Sequence, residues 1–229
     1  PGRLASLRRA AGDGSLPQRL VLLGADHPSD VEGWATLGPA KLLADEVRGI
    51  DVDELARAVA GWHRTGRAVA IHAVTRTECV AALSALAAAG PLAGDRIEHG
   101  SVMPPELDQV LRDGGITVVV QPSLVAERGD HHLAAVDADD VALLHRHASL
   151  LAAGVRVGVG SDAPVTSADP WQGIAAASRR TTRSGAVVGA AEAVDPATAL
   201  GWYLADPTDP GGPPRRVEPG RPADLCLLD

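Results

Sequence analysis

Short, nearly continuous apolar runs recur along the chain at 19–24, 40–44, 68–72, 95–99, 117–121 and 155–160. Each has the length of a strand, and an unbroken apolar run suits a strand buried on both faces. Between them, 53–65, 77–89, 105–113 and 139–153 are rich in Ala and Leu at helical spacing. Gly66, Gly115 and Gly154 stand just before strands, where a helix closing in a left-handed turn places glycine. Strands and helices alternating at this spacing predict parallel βα units. A helix at 4–12 would precede the first strand. Six units are counted, where a closed barrel of this kind has eight. Past Asp162 the pattern changes. Pro164, Pro170 and Trp171 mark a long loop, helical stretches follow at 172–180 and 196–202, and 206–214 is rich in Pro and Gly. A last apolar run at 223–228 reads as one more strand. The chain therefore divides into a barrel portion over 1–205 and a linker with a terminal strand over 206–229.

Composition narrows the class. The 229 residues suffice for one sizeable core, and 45% of them are apolar, so the chain is globular. A net charge of −8 without a basic run argues against nucleic acid or an anionic membrane as partner. Cys79 and Cys226 are far apart and form no metal knuckle or disulfide framework, so a reducing cytoplasm is the expected location. No apolar run is long enough to span a bilayer. Of 21 basic residues only Lys41 is a lysine. Against such a bias toward arginine, a solitary lysine calls for a chemical reason.

Three strands end in a side chain able to bind a metal. Val69-Ala-Ile-His72 and Arg96-Ile-Glu-His99 end in histidine, and Val157-Gly-Val-Gly-Ser-Asp162 ends in aspartate. In parallel α/β barrels the C-terminal strand ends face the active site, so these residues should converge there. Imidazole and carboxylate are the usual ligands of zinc and similar divalent ions. A histidine satisfied within the core is the alternative for any one of them alone. Lys41 lies in or just before a buried strand. A buried lysine sheds its proton more readily, and its neutral amine can take up carbon dioxide to become an anionic carbamate ligand, which arginine cannot do. A solvated surface lysine is the alternative.

These residues resemble those of the metal-dependent amidohydrolase superfamily, in particular the branch called amidohydrolase family 3. Gly158-Val-Gly-Ser-Asp162-Ala-Pro-Val165 is similar to that branch's eighth-strand motif, and Arg96-Ile-Glu-His99 to its sixth. Ala70-Ile-His72-Ala resembles the fifth strand, Lys41 falls at the fourth-strand lysine, and Val119-Val-Gln121-Pro122 is similar to the seventh strand. Gly220-Arg-Pro-Ala-Asp224-Leu resembles the segment that closes a small β-sandwich. The resemblance covers nearly the whole chain. It implies an α/β fold: a TIM (β/α)₈ barrel, here incomplete with strands three to eight, and a C-terminal remnant of the sandwich. It implies one or two divalent ions, usually zinc, with Lys41 as a carboxylated lysine, His72, His99 and Asp162 as ligands. Asp162 would also move the proton during hydrolysis of a non-peptide C–N bond in a small-molecule substrate.

The chain departs from that pattern in one respect that matters. The family's first strand ends in His-x-His, and no such strand is found. His145-Arg-His147 has the spelling but falls in the helical run, where two positions are about 200° apart, so the rings would diverge as surface or packing residues. His131-His132 falls in the loop expected after the Gln121 strand. That placement allows a substrate contact, with an ordinary loop pair as the alternative. His27 and His63 carry no signal. Without the first two strands, the isolated chain is expected to lack activity and to associate with copies of itself through open strand edges. A non-catalytic remnant of such an enzyme is the rival reading. A doubly wound nucleotide-binding domain is disfavoured, since no Gly-rich loop follows any strand.

Overall fold

A computed structural model of the chain describes residues 2–221, 223, 225 and 226. Helix α1 (Gly2–Gly12) leads into β1 (Val21–Leu22), β2 (Thr36–Leu37) and β3 (Ala40–Leu43). Then α2 (Val52–His63), β4 (Val69–Ala73), α3 (Arg76–Ala89), β5 (Arg96–His99), α4 (Asp108–Asp113) and β6 (Thr117–Val120) alternate. The chain continues through α5 (Ser123–Ala135), α6 (His147–Ala152), β7 (Arg156–Val159), α7 (Pro170–Arg179) and α8 (Pro196–Tyr203). Strands β3 to β7 form one parallel sheet in strict chain order. Strand β1 pairs in parallel with β2, and the Lys41 N–H donates to Leu23 O, so β1 also borders β3. The Gly38-Pro39 step separates β2 from β3, because proline has no N–H to give the ladder. All six expected strands are thus present and in order, as a curved portion of an α/β barrel.

Alternation along the strands sorts the side chains. Val69, Ile71, Ile97, Val118, Val120 and Val157 face outward, packing with Val59 of α2 and Cys79, Leu83 and Leu86 of α3 in the main core. The opposite face is the inner one. Lys41, Ala70 and Arg96 are in register there, as are Leu43, His72 and Glu98 one step nearer the strand ends. Helices α2, α3, α7 and α8 start on short polar caps, Asp51, Thr75, Asp169 and Asp195, each supplying an acceptor to otherwise orphaned N–H groups. Asp51 accepts from Glu54 N at 2.9 Å, and Thr75 with Glu78 forms a reciprocal capping box on α3. Gly66, Gly115 and Gly154 all adopt positive φ where the sequence placed them.

Three expectations change. The segment after Gln121 is helix α5 rather than a loop. Its helical pattern is interrupted by Gly129, a residue that marks a loop in sequence but is required here by packing: a Cβ at 129 would lie 2.6 Å from Thr182 Cγ2. The single helix expected over 139–153 is a 3₁₀ helix, Ala138–Leu143, followed by α6. His145 between them has φ +54°, so it and His147 do not share a helix, and both are buried. Finally, the Pro/Gly-rich stretch is not a free linker. Pro210 and Gly211 lie directly on β7, where a Cβ on Gly158 would approach Pro210 Cβ to 2.8 Å and Gly211 N to 2.9 Å. Arg156 pairs with Asp209, and the Arg215 N–H returns to Leu204 O at 2.8 Å. The strand expected at 223–228 includes Asp224, Leu227 and Leu228, which lie outside the described residues. Ala223, Leu225 and Cys226 carry no strand. No helix among the described residues is long and apolar enough to cross a membrane.

The two cysteines differ sharply. Cys79 is fully buried on α3, and burial, reinforced by the neighbouring Glu78 charge, pushes its thiol up to about 12, whereas Cys226 is exposed. Since the thiolate is the reactive form, a thiol reagent should modify Cys226 in the native protein and reach Cys79 only on denaturation. Rapid modification of both thiols in native buffer would contradict the packing of α3 against β4.

Candidate active site

The C-terminal strand ends carry the ionisable side chains. His72, the fourth residue of β4, points inward by alternation. His99 closes β5 and by its place in the ladder should face outward with Ile97. It does not, because its φ is +79°. Leaving the extended region rotates the side chain inward, and the His99 ring meets the His72 ring edge-on, with centroids 4.5 Å apart and planes at 73°. Asp162, just past β7, also has positive φ, +57°. A left-handed conformation at a residue other than glycine costs roughly 1–2 kcal/mol, and it persists only where surrounding structure imposes it. Two such residues at one end of one sheet set this region apart from the rest of the barrel.

Electrostatics link the four expected residues. Burial lowers the pKa of His99, nearby His72 lowers it further, and Asp162 and Gln121 pull the other way. Burial likewise holds the Lys41 amine below its ordinary value, opposed by Glu98 and Asp162 and assisted by Arg96. Within this geometry, only His72 and His99 are in contact. Lys41 and Asp162 act on His99 through their charges. Among the described residues no three His, Cys, Asp or Glu side chains stand close enough together to hold a metal ion. His131 is exposed and His132 half-buried on α5, on the helix that follows the Gln121 strand end.

Sequence reasoning gave no role to two inner residues. Glu98, in register with His72, accepts from Arg96 Nε at 2.7 Å, forming a buried ion pair beneath the imidazoles. Gln121 ends the β6 strand in the position that His72 and Asp162 hold at theirs. Its Nε2 donates to Val119 O at 2.7 Å, while its Oε1 is buried without a hydrogen-bond partner. The strand-end rule that found the histidines applies equally to this amide. Beside the ends of β3 to β5 opens a cavity of about 740 Å³, lined by Glu46, Thr75, Arg76, Val102 and Asp137–Asp140. Arg76 is paired with Asp140 there, so the unneutralised side chains of that wall are acidic.

Strand-end imidazoles and an aspartate on a parallel barrel are found in many hydrolases, and the sequence as a whole decides among them. Residues 5–229 match the amidohydrolase family. The chain belongs to the amidohydrolase family. Among solved structures, this amidohydrolase is similar to an uncharacterized metal-dependent hydrolase from Pyrococcus furiosus. The two are 22% identical with a TM-score of 0.68, over 87% of this chain and 47% of that one. A second uncharacterized metal-dependent hydrolase, from Pyrococcus horikoshii OT3, is also 22% identical. Its TM-score is 0.65, over 87% of this chain and 43% of that one. At such identities the likeness establishes a common fold. The amidohydrolase chain spans less than half the length of either structure. No curated protein matches it.

Proposed function

We propose that this chain carries the late-strand half of a metal-dependent hydrolytic site that cleaves a non-peptide C–N bond of a small molecule. The observation that carries the reading is the inward turn of His99 onto His72, which brings two imidazoles together at the mouth of the barrel. The donors fit a divalent ion in kind, since the low proton affinity of buried His99 favours the neutral, ligand-competent ring. Gln121 Oε1 at the same end is a buried acceptor with no close hydrogen-bond partner, and its amide acts on the His99 ring. His72 and His99 would hold the ion, zinc being the usual choice for such donors, with Lys41 as a carbamate and Asp162 completing this chain's share. Bound there, the ion would lower the pKa of a water toward about 7 and polarise the scissile carbonyl.

The remaining steps belong to the side chains. An Asp162 carboxylate oxygen takes the proton of the attacking water and delivers it to the leaving nitrogen, acting first as base and then as acid. Glu98, fixed by Arg96, lies one step nearer the strand ends than Lys41, and its charge opposes the loss of the Lys41 proton. The acidic cavity beside β3 to β5 is the entry for substrate. With only two imidazoles in contact, this chain alone should hold the ion weakly and hydrolyse amides no faster than a metal-free control.

The test is metal content by elemental analysis, followed by hydrolysis of a panel of N-acyl substrates. His72→Ala and Lys41→Arg should each lower zinc stoichiometry, the latter despite keeping the charge. In protein that turns over substrate, Asp162→Asn should lower the rate by at least about 10²-fold. Zinc content unaffected by His72→Ala would defeat the reading and favour a non-catalytic remnant.

A further inference from the structure

Behind the strand-end cluster lies a second set of imidazoles that the proposed hydrolysis does not use. His145 is only 3% exposed, and its backbone N–H donates to Ser101 O at 2.7 Å, two residues beyond His99. Its Nε2 lies 3.1 Å from Nδ1 of His132, with ring centroids 5.2 Å apart and planes 33° from parallel. His132 is half-buried on α5, and its neighbour His131 is exposed. Two hydrogen-bonded rings thus lead from the buried segment anchored to Ser101, just past β5, to half-buried His132 on α5.

A packing role alone accounts poorly for this arrangement. His145 is held in the left-handed region at φ +54°, a conformation that costs roughly 1–2 kcal/mol for a residue with a Cβ. The fixed hydrogen bond uses one nitrogen of each ring. Nδ1 of His145 and Nε2 of His132 have no hydrogen-bond partner among the described residues, which leaves an open nitrogen at each end of the pair. A neutral imidazole with one N–H and one lone pair can accept a proton at one nitrogen and release another from the second.

We propose that the His145–His132 pair conducts protons between the base of the strand-end site and solvent. A proton accepted at Nδ1 of His145 leaves from its Nε2 to Nδ1 of His132 and departs from Nε2 of His132 to water. No heavy-atom bond changes, and each ring ends in its other tautomer, to be reset by the reverse passage or by ring rotation. Burial, together with the basic groups nearby (His99 and Arg180 on His145, His131 and Arg128 on His132), lowers the proton affinity of both rings, so each is neutral at rest and holds a proton only in passage. No carboxylate acts on either ring to trap the proton. The benefit to catalysis rests on the hydrolytic reading above, since a site that generates protons must discharge them. The conduction itself does not depend on that reading.

The decisive experiment needs neither metal nor substrate. In the full chain labelled with ¹⁵N at histidine, NMR measures how fast the His145 ring proton exchanges with water. The route through His132 predicts exchange much faster than that of core amides. His132→Ala should slow it at least about tenfold, a modest share of the roughly 10²–10⁴-fold that a positioned acid–base group contributes, and imidazole in the buffer should restore it. His131→Ala, removing an exposed ring outside the hydrogen-bonded pair, should leave the rate unchanged. If His132→Ala fails to fold, His132→Gln serves, because it keeps a polar group that cannot relay a proton between two nitrogens. Exchange as slow as the core amides, or unaltered by the substitution at 132, would overturn the proposal. Loss of the relay with zinc binding intact, or the reverse, separates it from the hydrolytic reading.

Discussion

Acidification below about pH 6.5, the ordinary pKa of a histidine, should destabilise this protein steeply, well before its carboxylates begin to titrate. His145 and His147 are fully buried, and burial first, then the charges of their neighbours, pushes both well below the ordinary histidine value. Unfolded, each ring binds a proton near pH 6.5; folded, each holds one only at a pH well below that. The stability associated with their neutrality is therefore fully present above that pH and is lost as pH falls toward the folded values. Each such group contributes a slope of about 1.4 kcal/mol per pH unit, so the two together give about 3 kcal/mol per unit. Over one to two units that is comparable with the low end of the roughly 5–15 kcal/mol available to a typical domain. His99 and His132, shifted in the same direction, add to it. The aspartates lowered by hydrogen bonds, Asp130 and Asp195 among them, lose their contribution only below their ordinary carboxylate range. Urea midpoints measured in metal-free buffer at pH 7 and pH 5 check this. His147→Gln, which keeps an acceptor for Arg180, should remove about one proton from the slope. A midpoint constant between the two pH values would contradict the burial of both rings.

The second large effect concerns Arg180. It is fully buried at the end of α7, in a left-handed conformation of φ +56°. Its Nε donates to Val188 O at 2.9 Å, one terminal nitrogen donates to His145 O at 3.0 Å and Leu144 O at 3.4 Å, and the other to His147 Nδ1 at 3.1 Å. Because arginine only donates, His147 Nδ1 must be the acceptor, so Nε2 carries the proton and is left buried without a partner. Burial lowers the guanidinium to about 10, so it stays charged at neutral pH despite its desolvation. Replacing it by Ala would strand the Val188 and Leu144 carbonyls and a ring nitrogen away from water, while His145 O keeps the His147 N–H. At about 1–3 kcal/mol for each unsatisfied buried group, partly offset by no longer burying a charge, the net loss should be about 3–5 kcal/mol. Arg180→Lys, which cannot reach all four acceptors, should fall between. Chemical denaturation reads both. An Arg180→Ala variant within about 1 kcal/mol of the parent would mean that the segment around 144–147 does not depend on this side chain.

The strands were legible because they are buried on both sides and therefore spelled in Val, Ile and Ala, a signal no loop imitates. Helix α5 was not, since Gly129 and a run of polar residues hide its period, and the reason for that glycine is Thr182, more than fifty residues away. Strand-end position identified His72, His99 and Asp162 as candidates, and the bias toward arginine singled out Lys41. What sequence could not give was the inward rotation of His99, which depends on one backbone angle, or the meeting of His132 with His145, which come from different elements. The same strand-end rule would have singled out Gln121 had it been applied to amides as well as imidazoles.

The strict chain order of β3 to β7 has a consequence for how the molecule comes into being. Within that sheet each strand pairs with its chain neighbours, through a crossover of a few dozen residues. The sheet can therefore grow by accretion as the chain leaves the ribosome, each βα unit docking on a completed edge and becoming the template for the next. The late step is different in kind. Pro210 and Gly211 can settle on β7 only after Gly158 has been placed, so closure of that part of the inner face waits until those two residues have been made. A nascent chain paused before residue 206 should then leave the inner face of β7 around Gly158 uncovered, and that interval is when chaperone binding would matter most.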